Sequence, residues 1–351
     1  MNKNITLLLI VFSFISFKAH AFTFKTSGVA HISVDSINNG TDTSTYLASS
    51  SSRLAFSATH PINKSLNVLM QYETGVDFTG EGSNDGNGSP TNQDGQLFTR
   101  ARDSYVGLEG GLGTILLGHH SSADIWINEY NLFADQVADI GNLWAGSGLP
   151  GRQDNMIFYS SPKHKNGFDF SLAYVPEEGT NNTDSLIVKP VYQHGNLRIS
   201  GAYASFGKGV GKQEHTATAL NVIYNSTRFN IGLGIQNESD IAGVAGSDRE
   251  TYSIGSQYKI NDSHSIKVQY TVTEGTTANT DASMVGLGYD YHLDKDTNVY
   301  FAYGSTDNDA AANFQANGKG HGNAVTPAIG QDPSAVSIGI VYKFDLTLLK
   351  K

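Results

Sequence analysis

The chain has 351 residues, with 38 Gly, 17 Tyr and 17 Phe but only 8 Pro, no Cys, and 23 basic against 33 acidic side chains for a formal charge of −10. That negative balance argues against a nucleic-acid partner, whose phosphates would repel it. A chain this long needs no disulfides to supplement its core, so the missing cysteines leave the redox compartment open.

Lys3, an apolar run from Ile5 to Phe17 and the small-residue pattern Ala19-His20-Ala21 make residues 1–21 a secretory signal peptide, with cleavage expected before Phe22. The apolar run is too short for a spanning helix. Residues 1–21 hold Lys3, Lys18 and no carboxylate, so the mature chain has 21 basic against 33 acidic side chains, a formal charge of −12. No later apolar stretch is long enough for a transmembrane helix. Two classes survive: a secreted soluble β-protein, or a transmembrane β-barrel, whose alternating strands give a weak hydropathy signal.

The first mature segment alternates with period two, Phe22, Phe24, Thr26, Gly28, Ala30, Ile32 and Val34 on one face and Thr23, Lys25, Ser27, Val29, His31, Ser33 and Asp35 on the other. It is longer than a usual soluble strand of about 5–6 residues and suits a tilted spanning strand of about 9–11. The pattern returns around Leu66–Phe78, Phe168–Tyr174, Leu197–Tyr203, Phe229–Gln236 and Ser265–Val272. One face is apolar and the other polar or tiny, so the polar face meets water.

Short turn-like links at 61–64, 110–112, 163–166, 194–196, 225–227, 261–263 and 293–296 alternate with longer polar segments at 36–51, 79–96, 119–152, 176–184, 207–214, 237–249, 274–281 and 305–333. Seven short and eight long links predict sixteen strands of about 20 residues each with their connections, ample for spanning. The fold expected is a single all-β domain: a 16-stranded antiparallel transmembrane β-barrel over 22–344, with 345–351 as a short C-terminal extension. Closure removes the exposed edges of so large a sheet. Asp85, Asn87 and Ser89 partly mimic a calcium loop, but Pro90 and Gln96 occupy the positions of the turn glycine and the bidentate glutamate, so no metal is expected there. No cofactor is expected either.

The segment from His119 to Arg152 breaks the rhythm. It carries Asp124, Glu129, Asp135 and Asp139 with no Lys or Arg before Arg152, and it is rich in Trp126, Tyr130, Leu132, Phe133, Leu143 and Trp144. It is too apolar for a disordered linker and reads as the third long loop folded back into a cavity.

The chain resembles the trimeric general-diffusion porins of Gram-negative outer membranes. Ser52-Arg53-Leu54-Ala55-Phe56 is similar to their early Ser-Arg-Leu-Gly-Phe strand. Leu97-Phe98-x-Arg100 running to Tyr105-Val106-Gly107-Leu108, Gly113-Thr114-x-x-x-Gly118-His119, and Arg152-Gln153-Asp154-Asn155 with Tyr159-x-Ser161-Pro162 resemble the strands flanking their third loop. Val336-x-Ile338-x-Ile340-x-Tyr342-x-Phe344 resembles their closing strand, although here seven residues follow the aromatic residue that usually ends it. His119 stands where the family often has Arg, which would make that charge pH-dependent.

The resemblance implies a water-filled channel for passive diffusion of ions and small hydrophilic solutes, a homotrimer in outer-membrane lipid, and insertion by the outer-membrane assembly machinery. It also implies a constriction in which Asp124, Glu129, Asp135 and Asp139 of the loop face basic wall residues, for which Arg53, Arg100, Arg102, His119 and Arg152 are the candidates. Opposed charge arrays of this kind create a transverse field. Alternation points Arg53 inward; setting Arg100 and Arg102 inward turns Tyr105, Gly107 and Asp103 outward. The acidic loop predicts mild cation preference. Two rival readings are a sugar-specific channel using Trp126, Tyr130, Phe133 and Trp144, and a barrel hydrolase using His119, His120, Ser121, Ser122 and Asp124; a soluble lectin-like β-protein is a third.

Overall fold

A computed structural model describes residues 22–79, 101–121, 126–145 and 149–350. The signal-peptide segment, the stretch around Asp85, Arg100 and Asp124 lie outside the described residues. The first strands are β1 (Phe22–Asn38), β2 (Thr43–Ser49), β3 (Arg53–Asn63), β4 (Leu66–Gly75), β5 (Ala101–Gly110) and β6 (Gly113–Ser121). After the third loop come β7 (Arg152–Ser160), β8 (Phe168–Val175), β9 (Ser185–His194), β10 (Leu197–Phe206), β11 (His215–Asn225) and β12 (Phe229–Ser239). The last are β13 (Arg249–Lys259), β14 (His264–Gly275), β15 (Ala282–His292), β16 (Thr297–Asn308) and β17 (Ser334–Lys350).

Each strand pairs antiparallel with its neighbour, and β17 returns to β1, closing the sheet. The strands β2 and β3 lie end to end along β1, pairing with its later and earlier halves respectively. They are one spanning strand interrupted by a bulge at 50–52, where Ser51 takes φ +46°. The barrel therefore has sixteen spanning strands in seventeen segments, and all seven short links expected from the sequence join paired strands.

Polarity runs opposite to that of a soluble protein. Val106 and Ile338 on the outer face are 55% and 58% exposed, whereas the inward-facing Gln236, Thr251 and Thr273 are fully buried. An apolar belt around a polar interior is stable in lipid, and a closed ladder leaves no unsatisfied backbone edge there. The buried apolar cluster sits inside the barrel, where Trp126, Ile127, Phe133, Ile140, Leu143 and Trp144 of the third loop meet wall residues such as Met156, Phe206 and Met284.

Three expectations are corrected. The segment 36–51 is largely strand: β1 and β2 are joined by only Asn39–Asp42, closed by Asn39 N donating to Asp42 O at 3.0 Å and by the Asn39 side chain accepting from Asp42 N at 2.8 Å. Its Ser/Thr content reflects an inner face and a rim that meet water. The tail after Phe344 is also strand, with Asp345 opposite Ser27 and Lys350 opposite Phe22, because the long β1 offers a partner for every tail residue up to 350. Finally, β5 changes parity. A bulge sets Arg102 and Asp103 together opposite Glu73, so Tyr105 and Gly107 turn inward with Gln71 and Leu69, and Val106 and Leu108 turn outward.

Candidate pore constriction

The described part of the third loop, from Trp126 onward, lies along the inner wall from β9 to β16. Wall amides receive its backbone: Asn221 Nδ2 donates to Trp126 O at 3.1 Å, Gln236 Oε1 accepts from Ile127 N at 3.1 Å, and Gln269 accepts from Leu132 N at 2.9 Å while donating to Tyr130 O at 2.8 Å. Tyr130 OH donates to Asn230 Oδ1 at 2.6 Å. These bonds satisfy a non-repetitive backbone that has lost water. Close approach is possible because the wall beneath is glycine. A Cβ on Gly232 would enter the Tyr130 ring, one on Gly234 would lie 2.5 Å from Ile127, and one on Gly286 2.8 Å from Phe133.

The loop carboxylates separate into different environments. Glu129 meets Arg198 at 2.6 Å and Lys189 at 3.3 Å, and Ser200 Oγ donates to it as well. Burial alone would raise its pKa, but Lys189, the Ser200 hydroxyl and Arg198 outweigh that and hold it below the usual carboxylate range. Asp135 faces Arg53 at 3.7 Å, both half-exposed to the lumen. Asp139 is buried and knots the loop, accepting from Asn131 Nδ2 at 2.7 Å, Gly141 N at 2.8 Å and Asp135 N at 2.9 Å. Burial and the neighbouring Asp135 nevertheless push its carboxyl up to about 6.

The basic candidates also divide. Arg53 meets the loop. Arg102 is held by Glu73 at 2.6 Å and Arg152 by Asp103 at 2.8 Å, so each pairs with a wall carboxylate rather than with the described part of the loop. Asp103, expected outward, is brought to Arg152 by the β5 bulge. His119 pairs in register with Ser104, beside outward-facing Val106 and Leu117, and its Nδ1 lies 2.6 Å from the exposed Asp154 carboxylate. The ring therefore belongs to the outer face of the barrel. His120 takes the inward position, stacked on Phe158 at 4.7 Å.

Three wall cations escaped the sequence analysis as site residues: Lys189, Arg198 and Lys267. Lys267 Nζ lies 2.9 Å from Gln136 Oε1 of the loop, 3.2 Å from Asp290 and 4.8 Å from the Phe133 ring centre. Arg198 and Lys267 stand on the polar parity of their strands, the signal that selected Arg53, whereas Lys189 shares its face with Ile187 and Val191. Beneath the loop a chamber of about 430 Å³ is lined by Arg53, Lys267, Lys295 and Lys343 and by Asp135, Asp290, Asp294 and Asp296, four charges of each sign.

The sequence model of the Gram-negative porin family matches residues 6–311. The chain belongs to that family. The porin is 25% identical over 269 residues to the outer membrane porin protein 32 of Delftia acidovorans, covering 70% of this chain and 75% of the relative. It is 26% identical over 183 residues to the major outer membrane protein P.IB of Neisseria gonorrhoeae, covering 50% of this chain, and it spans about half (47%) of that relative's length. Among solved structures, an anion-selective porin from Comamonas acidovorans superposes with a TM-score of 0.78 at 22% identity, covering 92% of this porin and 100% of the other chain. The trimer form of OmpT, an outer membrane protein of Vibrio cholerae, gives 0.66 at 18% identity, covering 92% and 99%. Family and fold place this porin in the bacterial outer membrane.

Proposed function

We propose that the porin is a channel rather than an enzyme: a water-filled pore for passive diffusion of ions and small hydrophilic solutes, narrowed by the third loop. The observation that carries this reading is a polar-lined closed barrel whose one long acidic loop is bonded to the inner wall, with Asp135 set against Arg53 across accessible space. The charge pairs are a proposed transverse field, acting on dipolar solutes through the narrow part of the pore. We further propose a homotrimer in outer-membrane lipid, inserted by the assembly machinery; the likeness to OmpT in its trimer form supports it.

Selectivity follows from the pairing. Each described loop carboxylate is either matched by a wall cation or buried, and the chamber below is balanced. The cation preference expected from loop acidity is therefore weak, and so is the opposite preference named for the Comamonas acidovorans porin. A sugar track is disfavoured because Trp126, Phe133 and Trp144 expose at most 2% of their surface and Tyr130 only 9%, leaving little aromatic face for a solute.

Liposome swelling with sugars and amino acids of graded size tests the proposal. Reconstituted porin should admit small hydrophilic solutes at rates falling smoothly with size, whatever their chemical class. Uptake confined to one class, or none, would reject it.

A further inference from the structure

The last outer loop, residues 309–333, also enters the barrel and rests on the third loop. Ala138 N donates to Ala316 O at 2.9 Å, and Lys319 N donates to Asn142 Oδ1 at 3.0 Å. It is fixed at His321. There Nε2 lies 2.8 Å from Asp35 Oδ2 of β1, and both side chains are fully buried. Nδ1 lies 3.1 Å from the Asp135 carbonyl oxygen and 3.1 Å from Ser50 Oγ in the bulge between β2 and β3. The same bulge receives the loop backbone, with Ser51 Oγ donating to Gly320 O at 2.9 Å and Gly322 N donating to Ser50 Oγ at 3.0 Å.

Hydrogen-bond roles constrain the proton count. A carbonyl oxygen only accepts, so Nδ1 must carry a proton to hold Asp135 O; an ionised Asp35 only accepts, so Nε2 must carry one too. Both contacts together describe an imidazolium beside a carboxylate. If Nδ1 loses its proton it can no longer bind the carbonyl, and it accepts instead from the Ser50 hydroxyl, while Nε2–H keeps Asp35.

We propose that His321 is a positioning residue of the constriction: its Nδ1 proton ties the third loop at Asp135 to the wall and so keeps the Asp135 carboxylate opposite Arg53, and loss of that proton releases the loop at this point. The proposal rests on the channel reading above. The charged and titratable groups around His321 are Asp35 and His31 of β1, Asp135 and Asp139 of the third loop, and beyond His31 the Tyr300 hydroxyl; Arg53 lies behind Asp135. Burial lowers the imidazolium pKa, but Asp35 and then Asp135 outweigh it, leaving His321 above its ordinary value. The tie is thus complete below about pH 6.5, the ordinary histidine value, and is lost as pH rises through the higher folded value.

The test is planar-bilayer recording of the full-length porin between acid and alkaline pH, following open-channel noise and reversal potential in wild type, His321→Gln and Ser50→Ala. Wild type should show a one-proton transition with its midpoint on the alkaline side of about 6.5. His321→Gln should lack that transition and, above the Asp139 range near pH 6, behave as alkaline wild type. In Ser50→Ala, which removes the hydroxyl that takes over Nδ1, the transition should move to higher pH. A wild type without a transition, a His321→Gln profile that keeps it, or an unmoved midpoint in Ser50→Ala would each overturn the proposal. The Ser50 variant decides the matter should His321→Gln fail to fold. Absence of conductance in every protein at every pH would instead reject the channel reading.

Discussion

Asp139 shows how a single loop residue links pH to pore geometry. With its carboxyl pushed up to about 6, above the ordinary carboxylate value, the folded loop binds a proton that the loosened loop releases. Loop stability is therefore greatest below the ordinary value and declines as pH rises through about 6, by at most roughly 3 kcal/mol. The chain has only two tryptophans, Trp126 and Trp144, both buried in this loop, so intrinsic fluorescence reports on it directly. Acrylamide quenching should increase between pH 5 and pH 7 in wild type. In Asp139→Asn it should be higher throughout and lose that dependence, because the amide cannot accept from both Asn131 and Asp135 N as the carboxylate does. Equal quenching at both pH values in wild type would refute this role.

Arg53 and Asp135 make the complementary residue-scale test. Their contact is half-exposed, so neither contributes much to stability. Their effect should lie in the field across the lumen. Arg53→Gln should move the reversal potential toward cation preference and Asp135→Asn toward anion preference, each changing the permeability ratio by about twofold or more. Shifts in the same direction, or none, would remove the pair from the constriction.

At the scale of elements, the glycines of the inner wall are the counterpart of the loop. Gly232 and Gly234 of β12 and Gly286 of β15 lie where Tyr130, Ile127 and Phe133 come down. Gly286→Leu should lift the loop, with overpacking costing about 1–3 kcal/mol. We expect red-shifted tryptophan emission and altered conductance from a barrel that still shows heat-modifiable migration on gels. Unchanged emission would mean that the loop does not use this landing.

Much of this was legible in the sequence, for identifiable reasons. Period-two alternation locates spanning strands because lipid and water impose opposite demands on their two faces, and turn residues mark the short links. The aromatic, acidic segment around Trp126–Trp144 stood out for lacking that alternation. Parity failed at a bulge. One extra residue at Arg102–Asp103 reversed the faces assigned to Tyr105 and Gly107. His119 came from the resemblance alone, and the unbroken alternation of β6, with Leu116 buried and Leu117 exposed, puts His120 inside instead. Pairing across the lumen was also hidden, since alternation gives a side chain's face but neither its height nor its partner. Lys189 and Arg198 meet Glu129 from strands more than fifty residues downstream, and nothing local announces it. The inward course of 309–333 was missed for a similar reason: its polar, Gly-rich composition suits a solvated loop as well as one bonded to a polar wall.

At the scale of the whole molecule, stability and function share one arrangement. Closure of β17 on β1 satisfies every edge in lipid, and it frees the interior to carry charges that a soluble core would exclude. The tail strengthens the closure by extending the β1–β17 ladder to Lys350. The interior charges are matched in pairs, so the molecule carries its formal charge of −10 without a strongly one-signed lumen among the described residues. The measurement that tests this account most directly is single-channel recording of the purified porin in a planar bilayer under a salt gradient. The account predicts discrete, roughly ohmic steps with a reversal potential close to zero, as an open pore narrowed by paired charges requires. Absence of steps, or a reversal potential near the limit for a single ion sign, would contradict it.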